Sequence, residues 1–323
     1  MGKPNIKLIT FSDIPVNKPH ALNIGLNHAT QDIVVVFDAE DEPHKEIYKI
    51  ANTVFIRDKS DVVQSGVQLM NFRSHWFSTL NVLEYYFWFK SALHFFSRLG
   101  LVPLGGNTVF FKKKWLEYVN GWDELCLTED ADIGIRLSLA GANTRIIYDE
   151  AHTTREETPA TMKDFIRQRA RWNQGFLQIL FSGDWLKFPK FSQKMLALYI
   201  LFWSQLQVLI FLYMPISFFV LMSLKVPVWV TIITMLPLYC MILQIITQIV
   251  GLYEFTKDYK LKYPFASPLA IILSYFPYQM MLGYSALRAT SRYLFNNNDW
   301  DKTLHTNAHR KIMPAGLYES DYL

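Results

Sequence analysis

The stretch Ile33-Val34-Val35-Val36-Phe37-Asp38-Ala39-Glu40-Asp41 decides the reading of this chain. Five apolar residues, four of them β-branched, run without interruption and end in acids. Such a run, without alternation, is the pattern of a strand covered on both faces, as in a parallel sheet. In open α/β sheets the ligand sits beyond the carboxyl ends of the strands, where Asp38 and Glu40 fall. Carboxylates one residue apart at a strand end can bind a divalent cation and, through it, a diphosphate, because Mg²⁺ prefers oxygen ligands and shares them with phosphates. The same acids also suit an ordinary polar turn.

Working outward, the pattern predicts a weak strand at Ile6–Phe11, a short helix at Lys18–Asn27, a helix at His44–Phe55 and a strand at Asp61–Met70. A long aromatic helix follows at Trp76–Phe96, then a Gly-Gly-Asn turn leading into an apolar stretch within Val102–Lys112. Beyond these come a helix at Ala131–Ala140, a short strand at Arg145–Tyr148 and a helix at Met162–Phe181. The expected fold class is therefore α/β over residues 1–190.

Residues 195–290 are almost free of charge. Leu196–Met222 and Val226–Tyr253 are long and apolar enough to cross a bilayer, which takes about 20 helical residues, and Pro215 and Pro237 would kink them. Lys187, Lys190 and Lys194 precede the first, Lys225 lies between them, and Lys257, Lys260 and Lys262 follow the second. The excess of lysine on one side puts the 1–190 domain in the cytoplasm. A third apolar stretch, Phe265–Leu287, is broken up by Pro268 and Pro277 and by Pro264 just before it, and carries Tyr275, Tyr278 and Tyr284. It reads as interfacial or re-entrant, leaving the 291–323 tail with Arg292, Lys302, Arg310 and Lys311 in the cytoplasm. A net charge of +4 gives no ground for nucleic-acid binding. Cys126 and Cys240 offer neither a disulfide framework nor metal spacing, and His28, His44, His75 and His94 have no ligand spacing either. The start MGKPNIKLIT has no apolar signal segment.

Two further clusters carry possible chemistry. Thr128-Glu129-Asp130, with Asp132, places acids at a helix start, where plain capping also favours them. Gln168-Arg169-Ala170-Arg171-Trp172 puts cations beside an indole on a helix, an arrangement that holds phosphate and packs on a sugar, or that simply snorkels at a membrane surface.

The order is more specific than its parts: strand-end acids, an acidic turn about 90 residues later, QxxRW about 40 further, then apolar spans. In this the chain resembles the processive family-2 glycosyltransferases, that is, cellulose, chitin and hyaluronan synthases and their bacterial relatives. Softer matches are KPHALN at Lys18–Asn23, Gly105-Gly106-Asn107, Gly121-Trp122-Asp123 and Trp300-Asp301-Lys302-Thr303. The resemblance implies a GT-A type α/β domain followed by an α-helical membrane domain, a nucleotide-sugar donor (a UDP-sugar before others), Mg²⁺ or Mn²⁺, and inversion at the sugar carbon. It implies a glycan acceptor and a lipid bilayer as partners, and a multi-pass protein of the cell's inner membrane. By residue, Asp38 and Glu40 would hold the metal, and Asp130 would be the general base. Lys18, Asn23, Asp38 and Arg171 would meet the donor diphosphate. Gly105, Gly106, Asn107, Glu129, Gln168 and Trp172 would line the acceptor side.

Two departures stand out. Glu40 replaces the second Asp of D-x-D, and only about 40 residues precede that motif, so the resemblance implies a chain lacking most of the nucleotide-binding half. A single-transfer enzyme acting on a lipid phosphate, and an inactive fragment serving as a membrane subunit, are the competing readings. A transporter is disfavoured because the spans hold no buried acid or lysine pair.

Overall fold

The computed structural model describes residues 6–224 and 226–298. The expectations placed on Lys225, on Trp300–Thr303, on Arg310 and Lys311, and on most of the 291–323 tail lie outside those residues.

Helix α1 (Lys18–His28) forms where the periodicity places it, with Asn17 capping it through a hydrogen bond from the His20 amide and a proline in its first turn. Strand β1 (Ile33–Val36) follows, then α2 (Ile47–Arg57). The expected strand 61–70 is two strands, β2 (Val62–Ser65) and β3 (Val67–Leu69), parted at Gly66 and belonging to different sheets. The long aromatic helix is also divided: α3 (Ser78–Phe87) and α4 (Leu93–Leu99) are joined by a wider turn over Trp88–Ala92. After β4 (Val109–Lys112) and α5 (Lys113–Tyr118) comes α6 (Glu129–Leu139), with Glu129, Asp130 and Asp132 in its first turn. Strand β5 (Thr144–Ile147) precedes β6 (Thr154–Glu156), which the sequence reading missed, and α7 (Met162–Ser182). Ile6–Phe11 is not a strand.

The main sheet has the order β1-β4-β2-β5. Its central strands obey a period of two: Val62, Val109 and Phe111 face one core cluster, while Val63 and Phe110 face α2 with Ile47, Ala51, Val54 and Phe55. The IVVV run departs from expectation. It is an edge strand among the described residues, antiparallel to β4 with Val36 opposite Val109, and it is only partly buried. Only β2 and β5 run parallel in this sheet. A continuous apolar run reports that both faces meet side chains, and it carries no information about the direction of the neighbouring strand. The second sheet pairs β3 with β6 in parallel, bringing Leu69 opposite Glu156.

The apolar half is helical. Helix α8 (Phe191–Ser223) keeps Pro215 inside it. The second apolar stretch breaks into α9 (Val228–Thr234) and α10 (Leu236–Asp258), with Pro237 in the first turn of α10, so that proline starts a helix instead of kinking one. Helix α11 (Ser267–Leu294) is continuous through Pro277. Helices α8 and α10 are long and apolar enough to cross a membrane, and only 12% and 11% of their most apolar windows are buried. The start of α8 sits in the main core through Leu196, Ala197, Ile200 and Leu201, and the end of α10 is buried through Leu252 and Phe255. Between those ends the pair leaves the globular part, with Phe219 and Met222 more than 70% exposed at 72% and 75%. Helix α11 instead packs along α7: Tyr278 meets Phe165, Tyr293 stacks on Phe181 at 5.3 Å, and Arg292 donates to Gln174 at 2.8 Å.

Candidate active site

Lys18, at the start of α1, lies at the centre. Its Nζ is 2.5 Å from Asp38 Oδ1, donates to the Gly106 carbonyl at 3.2 Å, and is 3.9 Å from Glu129 Oε1. One ammonium therefore links the strand-end acid Asp38, the glycine turn and the acidic turn of α6. Burial would lower its pKa, but the charges of Asp38 and Glu129 outweigh that and raise it above the ordinary lysine value.

Asp130 lies on the other side of the same turn. Gly106 is in the left-handed region at φ +68, and a Cβ there would come 2.5 Å from Asp130 Oδ2, so this carboxylate reaches the site only past a glycine. The Ala131 amide donates to Asp130 Oδ1 at 2.8 Å, as befits a carboxylate at a helix N-terminus. Burial raises the proton affinity of Asp130, with the Lys18 charge working against the rise. Glu129 is pushed up to about 7 by burial and by its neighbour Asp130. Leu22, Val36, Leu104 and Trp122 complete the apolar wall of the cavity that Gly106, Glu129 and Asp130 line.

The acidic turn after β1 has a fourth member that the sequence reading did not contain. Glu156, at the end of β6, has its proton affinity raised well above normal by burial and by the charges of Asp41, Asp38 and Glu40. Nothing in its Arg-Glu-Glu surroundings singles it out; the pairing of β6 with β3 and the backbone bridge between Glu42 and Arg155 bring it there. Among the described residues no group of three or more His, Cys, Asp and Glu side chains forms a ready cage for a metal ion. The donor set nonetheless fits a hard divalent cation held by one or two carboxylates and completed by a diphosphate. Asp38 and Glu40 supply oxygens only, in a region where negative charges already oppose one another.

Helix α7 closes the site from the other side. A Cβ on Gly175 would come 2.2 Å from Thr128 Oγ1 and 2.6 Å from the Thr128 amide, so the QxxRW helix lies directly on the Thr-Glu-Asp turn. Arg171 Nη1 donates to the Leu127 carbonyl at 3.1 Å, and its charge is felt by Glu129 and Asp130. Gln168 is buried, and half-buried Trp172 has its ring 6.3 Å from that of Tyr85.

Two expected site residues face elsewhere. Asn23 is committed to the Gly-Trp-Asp loop: its Nδ2 donates to the Trp122 carbonyl and to Glu124 Oε1, both at 2.9 Å, and its Oδ1 accepts from the Trp122 amide at 2.9 Å. It fastens that loop to α1 and has no donor capacity left for a diphosphate. Asn107 is turned to the acidic turn instead of an acceptor, its Oδ1 accepting from the Asp38 amide at 3.3 Å and its Nδ2 donating to Asp41. Gly105 is held through its amide, which donates to Gln64 Oε1 at 2.8 Å, while Gln64 Nε2 donates to the Asn107 carbonyl at 2.9 Å. Gln64 is a fully buried polar residue in the middle of β2, and its polarity within an apolar strand was the signal that could have found it.

Comparison with known proteins gives a consistent picture. A family model described as glycosyltransferase like family 2 matches residues 1–175. The chain is 26% identical over 213 residues to the poly-beta-1,6-N-acetyl-D-glucosamine synthase of Staphylococcus epidermidis, covering 64% of this chain and 50% of that protein. It is 27% identical over 163 residues to the beta-monoglucosyldiacylglycerol synthase of Trichormus variabilis, covering 50% of this chain and 34% of that one. The matches thus span half or less of these relatives' own lengths. Among solved structures, a mannosyltransferase of Pyrobaculum calidifontis in complex with GDP-Man and Mn²⁺ overlays with a TM-score of 0.49 at 18% identity, over 87% of this chain and 68% of that one.

Proposed function

The chain belongs to glycosyltransferase-like family 2, and on that premise we propose that it is the catalytic part of an inverting, membrane-anchored enzyme that moves a sugar from a nucleotide-sugar to a growing β-linked polysaccharide. The observation that carries this reading is the single ammonium of Lys18 joining Asp38 to the Glu129–Asp130 turn, with 2.5 Å and 3.9 Å to the two sides. A donor sugar bound between them would have its diphosphate at one side and an attacking hydroxyl at the other, the proximity that such a displacement needs.

The roles follow from the chemistry. The mixed sheet and its helices are read as the greater part of a GT-A type domain. Asp130 is the general base: its raised proton affinity, caused by burial, suits removal of a proton from a weakly acidic hydroxyl. That hydroxyl oxygen bonds to the anomeric carbon as the bond to the diphosphate breaks, and the configuration inverts. Lys18 and Arg171 supply positive charge for the departing diphosphate. Asp38 and Glu40 would hold Mg²⁺ or Mn²⁺, which when bound neutralises charge on the leaving group. Trp172 offers its ring to the acceptor sugar, and Gln168 and Glu129 belong to the same acceptor side. Asn107 acts indirectly, by holding the acidic turn.

The bilayer assignment rests on α8 and α10, whose buried ends and exposed apolar middles suit a hairpin that crosses and returns. Both ends of the neighbouring helix α11 stay with the globular part: Arg292 reaches Gln174, and Arg73 Nη2 donates to the Lys262 carbonyl at 3.3 Å just before the helix begins. That supports an interfacial α11 and a catalytic domain on the lysine-rich, cytoplasmic face of the inner membrane.

The test is incorporation of radiolabelled sugar by membranes carrying the chain, with UDP-N-acetylglucosamine, UDP-glucose and GDP-mannose as donors and Mg²⁺ or Mn²⁺ supplied after chelation. Metal-dependent growth of a polymer from a UDP-sugar is the expected result, and no incorporation from any donor would refute the reading. The match to a glycolipid synthase gives the single-transfer alternative its footing. A labelled product that extracts into organic solvent and carries one added sugar would decide for it.

A further inference from the structure

Arg169 stands inside the QxxRW segment yet faces away from the acids. Its Nη2 donates to Asn81 Oδ1 at 2.6 Å and also to the Glu84 carboxylate, both on α3. The guanidinium carbon lies 5.1 Å from the centre of the Phe165 ring and 4.8 Å from that of Trp172. Arg171, two residues on, turns instead to the Leu127 carbonyl. The two arginines of the motif therefore have separate tasks.

A buried ion pair is a weak way to stabilise a helix seam, since desolvation offsets most of its Coulomb gain and apolar side chains often do as well. What Arg169 supplies is a flat cation, held at a fixed orientation by a carboxylate on another helix, against the face of an indole. Tyr85, also on α3, has its ring 6.3 Å from the same indole at an interplanar angle of 43°. Trp172 is thus confined by two α3-anchored groups, on the helix whose other contacts set it against the acidic turn.

We propose that Arg169 is a positioning residue for Trp172: clamped to Glu84 and Asn81, it fixes the plane of the indole on which the acceptor sugar packs. The acceptor part of this statement rests on the function proposed above; the clamping of the ring does not. An indole free to rotate would still be present but would offer its face to a sugar for only part of the time, so acceptor affinity would fall while donor binding stayed the same.

The test uses the full chain, labelled with 5-fluorotryptophan, with the ¹⁹F resonance of Trp172 assigned through Trp172→Phe. In Arg169→Lys the Trp172 resonance shifts and broadens while those of the other tryptophans stay in place; Glu84→Gln, which removes the carboxylate charge but leaves the bond to Asn81, gives a smaller change in the same resonance. With UDP-N-acetylglucosamine and a β-1,6-linked N-acetylglucosamine oligosaccharide, Arg169→Lys raises the acceptor KM on the order of tenfold with the donor KM and the pH profile unchanged, and has no further effect in a Trp172→Ala background. A Trp172 resonance unmoved in both variants would overturn the proposal, as would a uniform shift of all tryptophans, which marks a merely structural residue. Wild-type protein that transfers nothing would count against the proposed function, and the resonances would still decide whether Arg169 holds the ring.

Discussion

Gly175 and Thr128 are in direct apposition: a Cβ on the glycine would stand 2.2 Å from the threonine hydroxyl oxygen. The Thr-Glu-Asp turn and the QxxRW helix are therefore joined, through residues 47 positions apart, by the absence of a side chain. This contact sets how far Arg171 and Trp172 stand from Asp130, because α7 cannot approach the turn more closely and would be pushed off it by any substituent.

Gly175→Ala should accordingly damage both stability and chemistry. An overpacked contact against backbone typically costs about 1–3 kcal/mol, and the displaced helix would carry Arg171 and Trp172 with it. Thermal unfolding and sugar transfer measured on the same preparation check this. Unchanged values of both would show that the turn yields easily and does not set the site.

Asp130→Asn removes the proposed base while keeping its shape. Transfer should fall by roughly 10²–10⁴-fold, the usual worth of a positioned base, while the dissociation constant of the nucleotide-sugar, measured by calorimetry, stays within a few-fold. Normal turnover would reject the assignment of the base.

The pH profile follows from the same pair. Burial raises both carboxyls, Glu129 to about 7 and Asp130 above the ordinary aspartate value. A base works only when deprotonated, so activity should climb with pH along an acidic limb that lies above the ordinary aspartate range, and be lost below it. Lys18 lowers the proton affinity of both carboxyls. Lys18→Met should therefore move the acidic limb to higher pH as well as reducing transfer. A limb that stays in place in that variant would show that the lysine is not coupled to the base.

Asn23 provides a counter-case. Its three hydrogen bonds hold the 122–124 loop to α1. At about 1 kcal/mol net for each bond, Asn23→Ala should lower stability in a denaturant titration yet leave the donor KM near that of the wild type. A raised donor KM at unchanged stability would restore the donor-binding role expected from its motif.

The local order of this protein was legible in its residues. Periodicity placed α1, α2, α6 and α7 within a few positions, the IVVV run was a strand, and uncharged length alone marked α8 and α10. The family resemblance also pointed to Lys18, Asp38, Glu129, Asp130 and Arg171, and the fold brings their charges near one another. Three things were decided only in three dimensions: that β1 is an antiparallel edge, that Glu156 arrives beside Asp38 and Asp41, and that Asn23 and Asn107 point into loops instead of a ligand. The reason is physical. Apolar patterning records which faces lose water, a property each segment carries by itself. The direction of a neighbouring strand, or the partner of a half-buried amide such as Asn23 with Glu124 across 101 positions, is set by groups that only chain closure brings within hydrogen-bond reach.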